Sequence, residues 1–368
     1  MKIAMIGQKG IPTLFGGIER HVEEISCNLA KKKDFKNKVF VYVRNYYTPK
    51  RIKKYQGVNI IHLPSLKTKH LDAISHVFLS SFHAIFKLKP DIIHYHGVGP
   101  ALCIWIPKIL SPKTKIVFTF HCQDYFHKKW GLVARLFLKT GEMIGCLMAD
   151  EIIAVSNEIK KYIEQKYNKE SLFIPHGVRK EKYVSDKFIK KWNLEKNNYI
   201  LAVSRLIRHK GLHYLIKAYK EIKTDKKLVI VGPSFYTNDY EDELKKISED
   251  NSNIIFLGAQ QGTVLKSLYS NAYLFINPSE QEGLPLTVLE AASFGKPILL
   301  SNIKIHSLML DDFPFLFKNK NVLDLKKKLK FILNHPKKSL SRGEKTKKYA
   351  QKIYNWDKVV ERTILKYI

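Results

Sequence analysis

Short apolar runs alternate with longer segments of helical periodicity along the whole chain. In the first half the runs fall at 3–6, 39–43, 60–63, 92–95, 116–120 and 152–155. After the first run, Ile18, Val22, Ile25 and Leu29 recur at spacings of four, three and four, one face of a helix. The pattern then restarts, with runs at 200–203, 228–231, 254–257, 274–276 and 298–300 and helical segments at 212–222, 264–269, 286–294 and 322–333. Continuous apolar strands are buried on both faces, and their alternation with helices predicts parallel, doubly wound α/β sheets. Two sheets in succession are expected. The division is a first domain at 1–178, a polar, lysine-rich hinge at 179–198, a second domain at 199–345 and a C-terminal helical segment at 346–368, with a helix at 346–354. Open α/β sheets bind ligands at the carboxyl ends of their strands, so two such sheets facing each other would form one central cleft.

The length of 368 residues suits two domains, and a hydrophobic content of 45% supplies a core for each. Formal net charge is +31, from 64 Lys and Arg against 33 Asp and Glu, with lysine densest across 318–348. Such an excess favours phosphorylated small molecules, anionic lipid or nucleic acid as partners, unless it only reflects a lysine-rich proteome. No helix-turn-helix, RRM or zinc-finger signature accompanies the charge, so nucleic acid is not expected. Cys27, Cys103, Cys122 and Cys146 form no C-x-x-C pair and point to neither a zinc site nor a disulfide framework. The first seven residues read as a buried strand entering a glycine loop rather than as a signal peptide. No apolar run approaches the roughly 20 residues of a membrane span. A cytoplasmic protein is expected, soluble or peripheral on the inner face of the plasma membrane.

The candidate chemistry sits where strands end. In the stretch 7–20, Gly16 and Gly17 let backbone amides approach a phosphate or another anion at the positive end of the helix that follows. A purely structural tight turn explains the same glycines, and the stretch is not a Walker A loop, since no G-K-[ST] ending follows. In 204–211, Arg205 and Lys210 lie between a strand and a helix; two fixed cations there can hold a diphosphate as it leaves. Arg208 and His209 add charge nearby, and a solvated basic turn is the plain alternative. In 282–290, Pro285 is expected as the first helical residue. Glu290 then falls on the second turn and Glu282 just before the helix, so both carboxylates can accept sugar hydroxyls. Gly283 and Leu284 can offer amides to a phosphate. His94 and His96 end one strand and His121 another, with Asp124 three residues on. His94 suits a packed, hydrogen-bonded role, whereas His121 looks functional. No carboxylate or cysteine completes a metal set with His94, His96 and His121, so no metal is expected.

These motifs, in this order, resemble the family 4 retaining glycosyltransferases of GT-B fold over nearly the whole chain. The stretch 7–24 looks most like a bacterial rhamnosyltransferase-type branch making capsule or other surface polysaccharides. The resemblance implies two Rossmann-like domains facing a central cleft, with the terminal segment crossing back onto the first. Trp356, Val360, Ile364 and Tyr367 have the spacing to pack there. It implies that Gly16 and Gly17 lie beside the donor phosphates and the acceptor, and that His121 touches the transferred sugar. Arg205 and Lys210 would hold the diphosphate, Glu282 the sugar and Glu290 the ribose. His176 stands where the family usually has asparagine, and residues 282–286 replace the commoner glutamate–glycine–phenylalanine–glycine. The implied reaction retains anomeric configuration by front-face attack. The leaving phosphate takes the acceptor proton, and cationic side chains do the work of a metal. The implied partners are a nucleoside-diphosphate sugar, with rhamnose favoured, and a saccharide or lipid-linked acceptor.

The segment 126–139 mixes Lys128, Lys129, Arg135 and Lys139 with Trp130, Leu132, Val133, Leu136 and Phe137. A basic amphipathic helix of this kind can lie on an anionic membrane; the alternative packs its apolar face on the first sheet. A sugar-nucleotide epimerase of the same fold is the rival enzyme reading. It would convert the donor without an acceptor.

Overall fold

The computed structural model describes residues 1–14, 16–36, 38–68, 71–123, 125, 131–234 and 238–368. Asp124 and residues 126–130, the first part of the expected amphipathic segment, lie outside the described residues. The chain divides into two compact units, one formed by Met1–Gly177 with Trp356–Ile368 and the other by Val178–Asn355.

Unit 1 holds eight strands: β1 Ile3–Ile6, β2 Val39–Arg44, β3 Lys54–Tyr55, β4 Val58–Leu63, β5 Ile92–His96, β6 Lys115–Phe120, β7 Glu151–Ala154 and β8 Leu172–Phe173. Their order is β3-β4-β2-β1-β5-β6-β7-β8, parallel except where β3 turns back on β4. β1 takes Ile3 against Val39 on one side and against Ile92 on the other. All four β1 side chains are buried, as a doubly covered parallel strand requires. The chain reverses its direction of travel across the sheet between β1 and β5, so the loops after these strands open a crevice at the carboxyl edge.

Unit 2 repeats the plan with β9 Tyr199–Val203, β10 Lys227–Val231, β11 Ile254–Phe256, β12 Leu274–Asn277, β13 Ile298–Ser301 and β14 Phe315–Phe317. The order is β11-β10-β9-β12-β13-β14, all parallel, and the switch point falls between β9 and β12.

Two boundaries differ from those expected. Residues 179–198 are not a separate hinge, because they are fastened within unit 2. Val184 N donates to Ser270 Oγ at 2.9 Å, Ser267 Oγ to the Ser185 carbonyl at 2.7 Å, and Asn197 N to the Asn271 carbonyl at 2.8 Å. Nor does the returning segment begin at 346. The helix runs Pro336–Ile353, opened by a proline whose missing N–H costs nothing in the first turn. It packs on the helix Leu286–Ser293 of unit 2, and Tyr354 Oη donates to the Met309 carbonyl at 2.5 Å. Only Trp356–Ile368 belongs to unit 1. There Trp356, Val359, Val360 and Tyr367 join the core around β1 and β2, with Ile364 packed against it. Each large apolar side chain so buried contributes about 1.5–3 kcal/mol. Among the described residues no helix is long and apolar enough to cross a membrane.

Candidate active site

At the switch point of unit 2, the loops after β9, β12 and β13 meet. Arg205 follows β9 with an exposed side chain that forms no ion pair among the described residues. A short 3₁₀ turn, Arg208–Lys210, then ends at Gly211, whose φ of 68° suits glycine, and the helix Leu212–Lys220 begins. A Cβ at Gly211 would fall on the Pro278 carbonyl, so the residue type permits the close approach of the two loops. Glu280 N donates to the His209 carbonyl at 2.7 Å and fastens them.

This approach places Lys210 Nζ 2.6 Å from Glu282 Oε1. The same oxygen accepts from Ser279 Oγ at 2.7 Å and from Asn277 Nδ2 at 3.4 Å. The Glu282 side chain is only 9% exposed. Burial alone would raise its pKa, but Lys210, His306 and the Ser279 hydrogen bond outweigh burial and hold the carboxyl at about 2. Glu282 is therefore a fixed anion that positions a fixed cation. All three of these bonds fall on Oε1. Behind them, Ser301 Oγ donates to the Ser279 carbonyl at 2.5 Å and lies 3.1 Å from His306 Nδ1. His306 is fully buried, and burial lowers its pKa to about 4, so its ring is neutral at physiological pH and charged only in the acid range where Glu282 titrates.

Glu290 lies on the second turn of the helix Leu286–Ser293, partly buried. Pro285 is its N-cap and not its first helical residue, because its ψ of 108° is extended. Gly283 and Leu284 form the approach to that helix. Arg208 is occupied elsewhere: it pairs with Glu243 and stacks on Tyr240, 5.2 Å from the ring centre.

At the switch point of unit 1, five histidines converge. His94 and His96 come from β5, His121 follows β6, His176 follows β8, and His21 comes from the helix Gly17–Lys31. His94 is committed on both sides, with Nδ1 2.7 Å from Tyr367 Oη and Nε2 2.6 Å from Thr119 Oγ1. It is the packed, satisfied histidine that its place on an apolar strand implied. His96 Nδ1 lies 3.3 Å from His121 Nε2, and His176 Nδ1 lies 2.9 Å from His21 Nδ1. The His121 and His176 rings stack at 5.2 Å. Burial, followed by the neighbouring imidazoles, holds the pKa values of His21, His96 and His121 well below the usual 6.5. His94 and His176 are lowered to about 3 by burial. The cluster is thus neutral at physiological pH. His121 can donate or accept a hydrogen bond but carries no charge. One ring nitrogen from each of His21, His96 and His121 lies within 4.8 Å of the others, so these three could hold a metal ion.

Gly16, with φ 106°, is the N-cap of Gly17–Lys31, and a Cβ there would fall on the Glu19 carboxylate. The loop before it is strapped by side chains. Lys9 N donates to Glu19 Oε1 at 3.0 Å, Thr13 N to Glu23 Oε2 at 2.6 Å, and Leu14 N to Tyr47 Oη at 2.8 Å. Those three amides are therefore spent within the loop. The helix end at Gly16 and Gly17 presents amides with a carboxylate beside them, a set that suits hydroxyl groups as well as an anion.

The structure thus brings Lys210 and Glu282 into contact, sets Arg205, Gly283, Leu284 and Glu290 on neighbouring loops and helix of the same switch point, and places His121, Gly16 and Gly17 at that of unit 1. Sequence reasoning missed His21, Ser279, Ser301 and His306, and gave His176 no part. Their roles arise from contacts such as His21–His176, 155 residues apart, to which no local spacing points. The one visible signal was His176 replacing an asparagine.

Two family models match the chain in succession, Glycosyltransferase Family 4 over residues 15–182 and Glycosyl transferases group 1 over 184–352. An uncharacterised glycosyltransferase of Methanocaldococcus jannaschii is 26% identical over 351 residues, covering 94% of this chain and 92% of that protein. The O-antigen chain mannosyltransferase RfbU of Salmonella typhimurium is 31% identical over 160 residues, 42% of each chain. Among solved structures, Anabaena HepE in complex with UDP and glucose superposes with a TM-score of 0.82 at 16% identity, covering 99% of this chain and 98% of that one. The two doubly wound units with their paired family matches make this chain a GT-B glycosyltransferase, a member of glycosyltransferase family 4.

Proposed function

We propose that the protein is a retaining, metal-independent transferase that takes a sugar from a nucleoside diphosphate and adds it to a saccharide or lipid-linked saccharide during surface-polysaccharide synthesis. The observation that carries this reading is the largely buried Lys210–Glu282 pair at the switch point of unit 2, with Arg205 exposed on the same loop as Lys210. A diphosphate leaving group gains negative charge as the glycosidic bond breaks, and preorganised cations in a water-poor site stabilise that charge. Arg205 and Lys210 supply them, so the reaction needs no divalent ion at the phosphates. Glu282 holds Lys210 in place and accepts from a sugar hydroxyl, while Glu290 takes the ribose diol. The amides of Gly283 and Leu284, at the positive end of a helix, complete the phosphate cradle. Gly16, Gly17 and His121 serve the acceptor and the transferred sugar. His121, being neutral, acts as a hydrogen-bonding group rather than as an acid. The acceptor proton passes to the departing phosphate oxygen on the same face, and configuration is kept. Rhamnose is the favoured sugar because residues 7–24 resemble that branch; a mannosyl relative and a structural neighbour holding UDP and glucose keep other hexoses in play.

The test is transfer in EDTA with sugar nucleotides and a lipid-linked acceptor, with the product's anomeric configuration read by NMR. A product bond with the same anomeric configuration as the donor bond is expected, axial from axial or equatorial from equatorial. Inversion, or turnover only with added Mg²⁺, contradicts the reading, and conversion of the donor without acceptor favours the epimerase.

A second reading concerns location. In unit 1 the helix Leu132–Met148 exposes Leu132, Val133, Leu136 and Phe137, at 83%, 70%, 64% and 54%, rather than packing them on the sheet. The helix Trp105–Leu110, which packs beside it, exposes Trp105, Ile109 and Leu110, and the helix Leu71–His83, which packs beside Trp105–Leu110, exposes Phe78 and Leu79. Exposed apolar side chains on these helices, on a chain of net charge +31, fit contact with an anionic lipid bilayer. Such contact would bring a cytoplasmic enzyme to lipid-linked acceptors at the inner face of the membrane.

A further inference from the structure

The histidine cluster of unit 1 is more than packing requires. His96 Nδ1 and His121 Nε2 face each other, and the opposite nitrogens of the same two rings, His96 Nε2 and His121 Nδ1, are buried with no hydrogen-bond partner, so protein bonds hold neither ring in one tautomer. His21, His96 and His121 are 3%, 0% and 4% exposed and offer three ring nitrogens within 4.8 Å of one another. A tetrahedral ion with metal–nitrogen bonds of about 2.0–2.1 Å sets its ligand nitrogens about 3.3 Å apart. His96 Nδ1 and His121 Nε2 already stand at that separation, 3.3 Å, and His21 offers a third nitrogen within 4.8 Å of both.

We propose that His21, His96 and His121 bind one late first-row divalent metal ion, of the Zn²⁺ and Co²⁺ class, in a three-imidazole site with an exchangeable fourth position. All-imidazole sets select such ions over Mg²⁺ and Ca²⁺, which require oxygen. The rings are neutral, so the ion displaces no imidazolium proton and needs only tautomer shifts. His94 is not a ligand, since Tyr367 and Thr119 occupy both its nitrogens; it stacks on His96 at 4.1 Å and holds that ring. His176, 2.9 Å from His21, is the outer partner that orients His21. The site lies in unit 1, whereas the cations assigned to the diphosphate lie in unit 2. On the reading given above for His121, which this consequence rests on, bound metal takes the ring from the sugar and suppresses transfer.

The experiment is titration of the chelator-treated full chain with Co²⁺, followed by visible d–d absorption, with Zn²⁺ as competitor. One equivalent with tetrahedral intensity, displaced by Zn²⁺, is expected. His21→Gln and His96→Gln should each weaken Co²⁺ binding at least tenfold, while His76→Gln, a buried histidine elsewhere in the unit, should leave it unchanged. X-ray absorption of the wild-type Zn²⁺ complex should show imidazole scattering from three rings, which keeps the test open if a variant fails to fold. No cobalt band, a band retained in both ligand variants, or fewer than three imidazoles overturns the proposal and leaves a cluster of hydrogen-bonded rings. Nucleotide binding in EDTA is read separately: its loss would count against the transferase reading and not against the metal site.

Discussion

Lys210 and Glu282 are far apart in sequence and 2.6 Å apart in space, and the pair concentrates the charge of the unit 2 site. Removing Lys210 removes a leaving-group cation and also leaves a buried carboxylate without its counter-charge. Lys210→Ala is expected to lower kcat by two to three orders of magnitude, about 3–4 kcal/mol, while the fold persists. Steady-state kinetics beside a circular-dichroism melt checks this; near-native kcat in a folded variant would place the diphosphate elsewhere. The placement of Arg205, Lys210, Glu282 and Glu290 beyond strand ends was legible in the sequence because the strands before them are themselves legible. Ser279, Ser301 and His306 were not. Their network links the loops after β12 and β13, and nothing in the identity of a serine 22 residues from another shows that the two will share a hydrogen bond.

At the scale of elements, every apolar run read from the sequence became a strand. β3, β8 and β14, of two or three residues each, escaped because so short a strand has no periodicity to detect. The helix Pro336–Ile353 begins ten residues before the expected 346, since its lysine-rich first half has too few apolar positions to mark a face. The helix Leu132–Met148 carries the opposite lesson. Its apolar residues read equally well as core or as membrane surface, and the structure leaves them exposed. Replacing Leu132, Leu136 and Phe137 together by serine removes about 1.5–3 kcal/mol of burial per side chain from any bilayer contact. Sedimentation with anionic vesicles should show binding lost in this triple variant and weakened by high salt. Equal binding by wild type and variant, or none by either, would end the membrane reading.

At the scale of the whole molecule, the two units differ in how they should meet acid. His21, His76, His94, His96, His121 and His176, all buried in unit 1, have pKa values lowered chiefly by burial. Below the ordinary 6.5 the unfolded chain binds protons that the folded unit refuses, so stability is full above that pH and is lost as pH falls. Each such ring costs up to about 1.4 kcal/mol per pH unit. Urea unfolding at pH 7.5 and 5.5 should therefore move the transition of unit 1, identified by pulsed hydrogen exchange, to much lower urea than that of unit 2; unchanged midpoints would contradict the buried, neutral cluster. The central claim, a metal-free nucleoside-diphosphate site in this GT-B glycosyltransferase, is tested most directly by thermal shift with UDP, dTDP, GDP and ADP, EDTA present throughout. A ligand at about 100 times its Kd should stabilise the protein by about 2.7 kcal/mol. A clear shift with one nucleotide, abolished in Lys210→Ala, is the predicted result, and no shift with any of the four would contradict it.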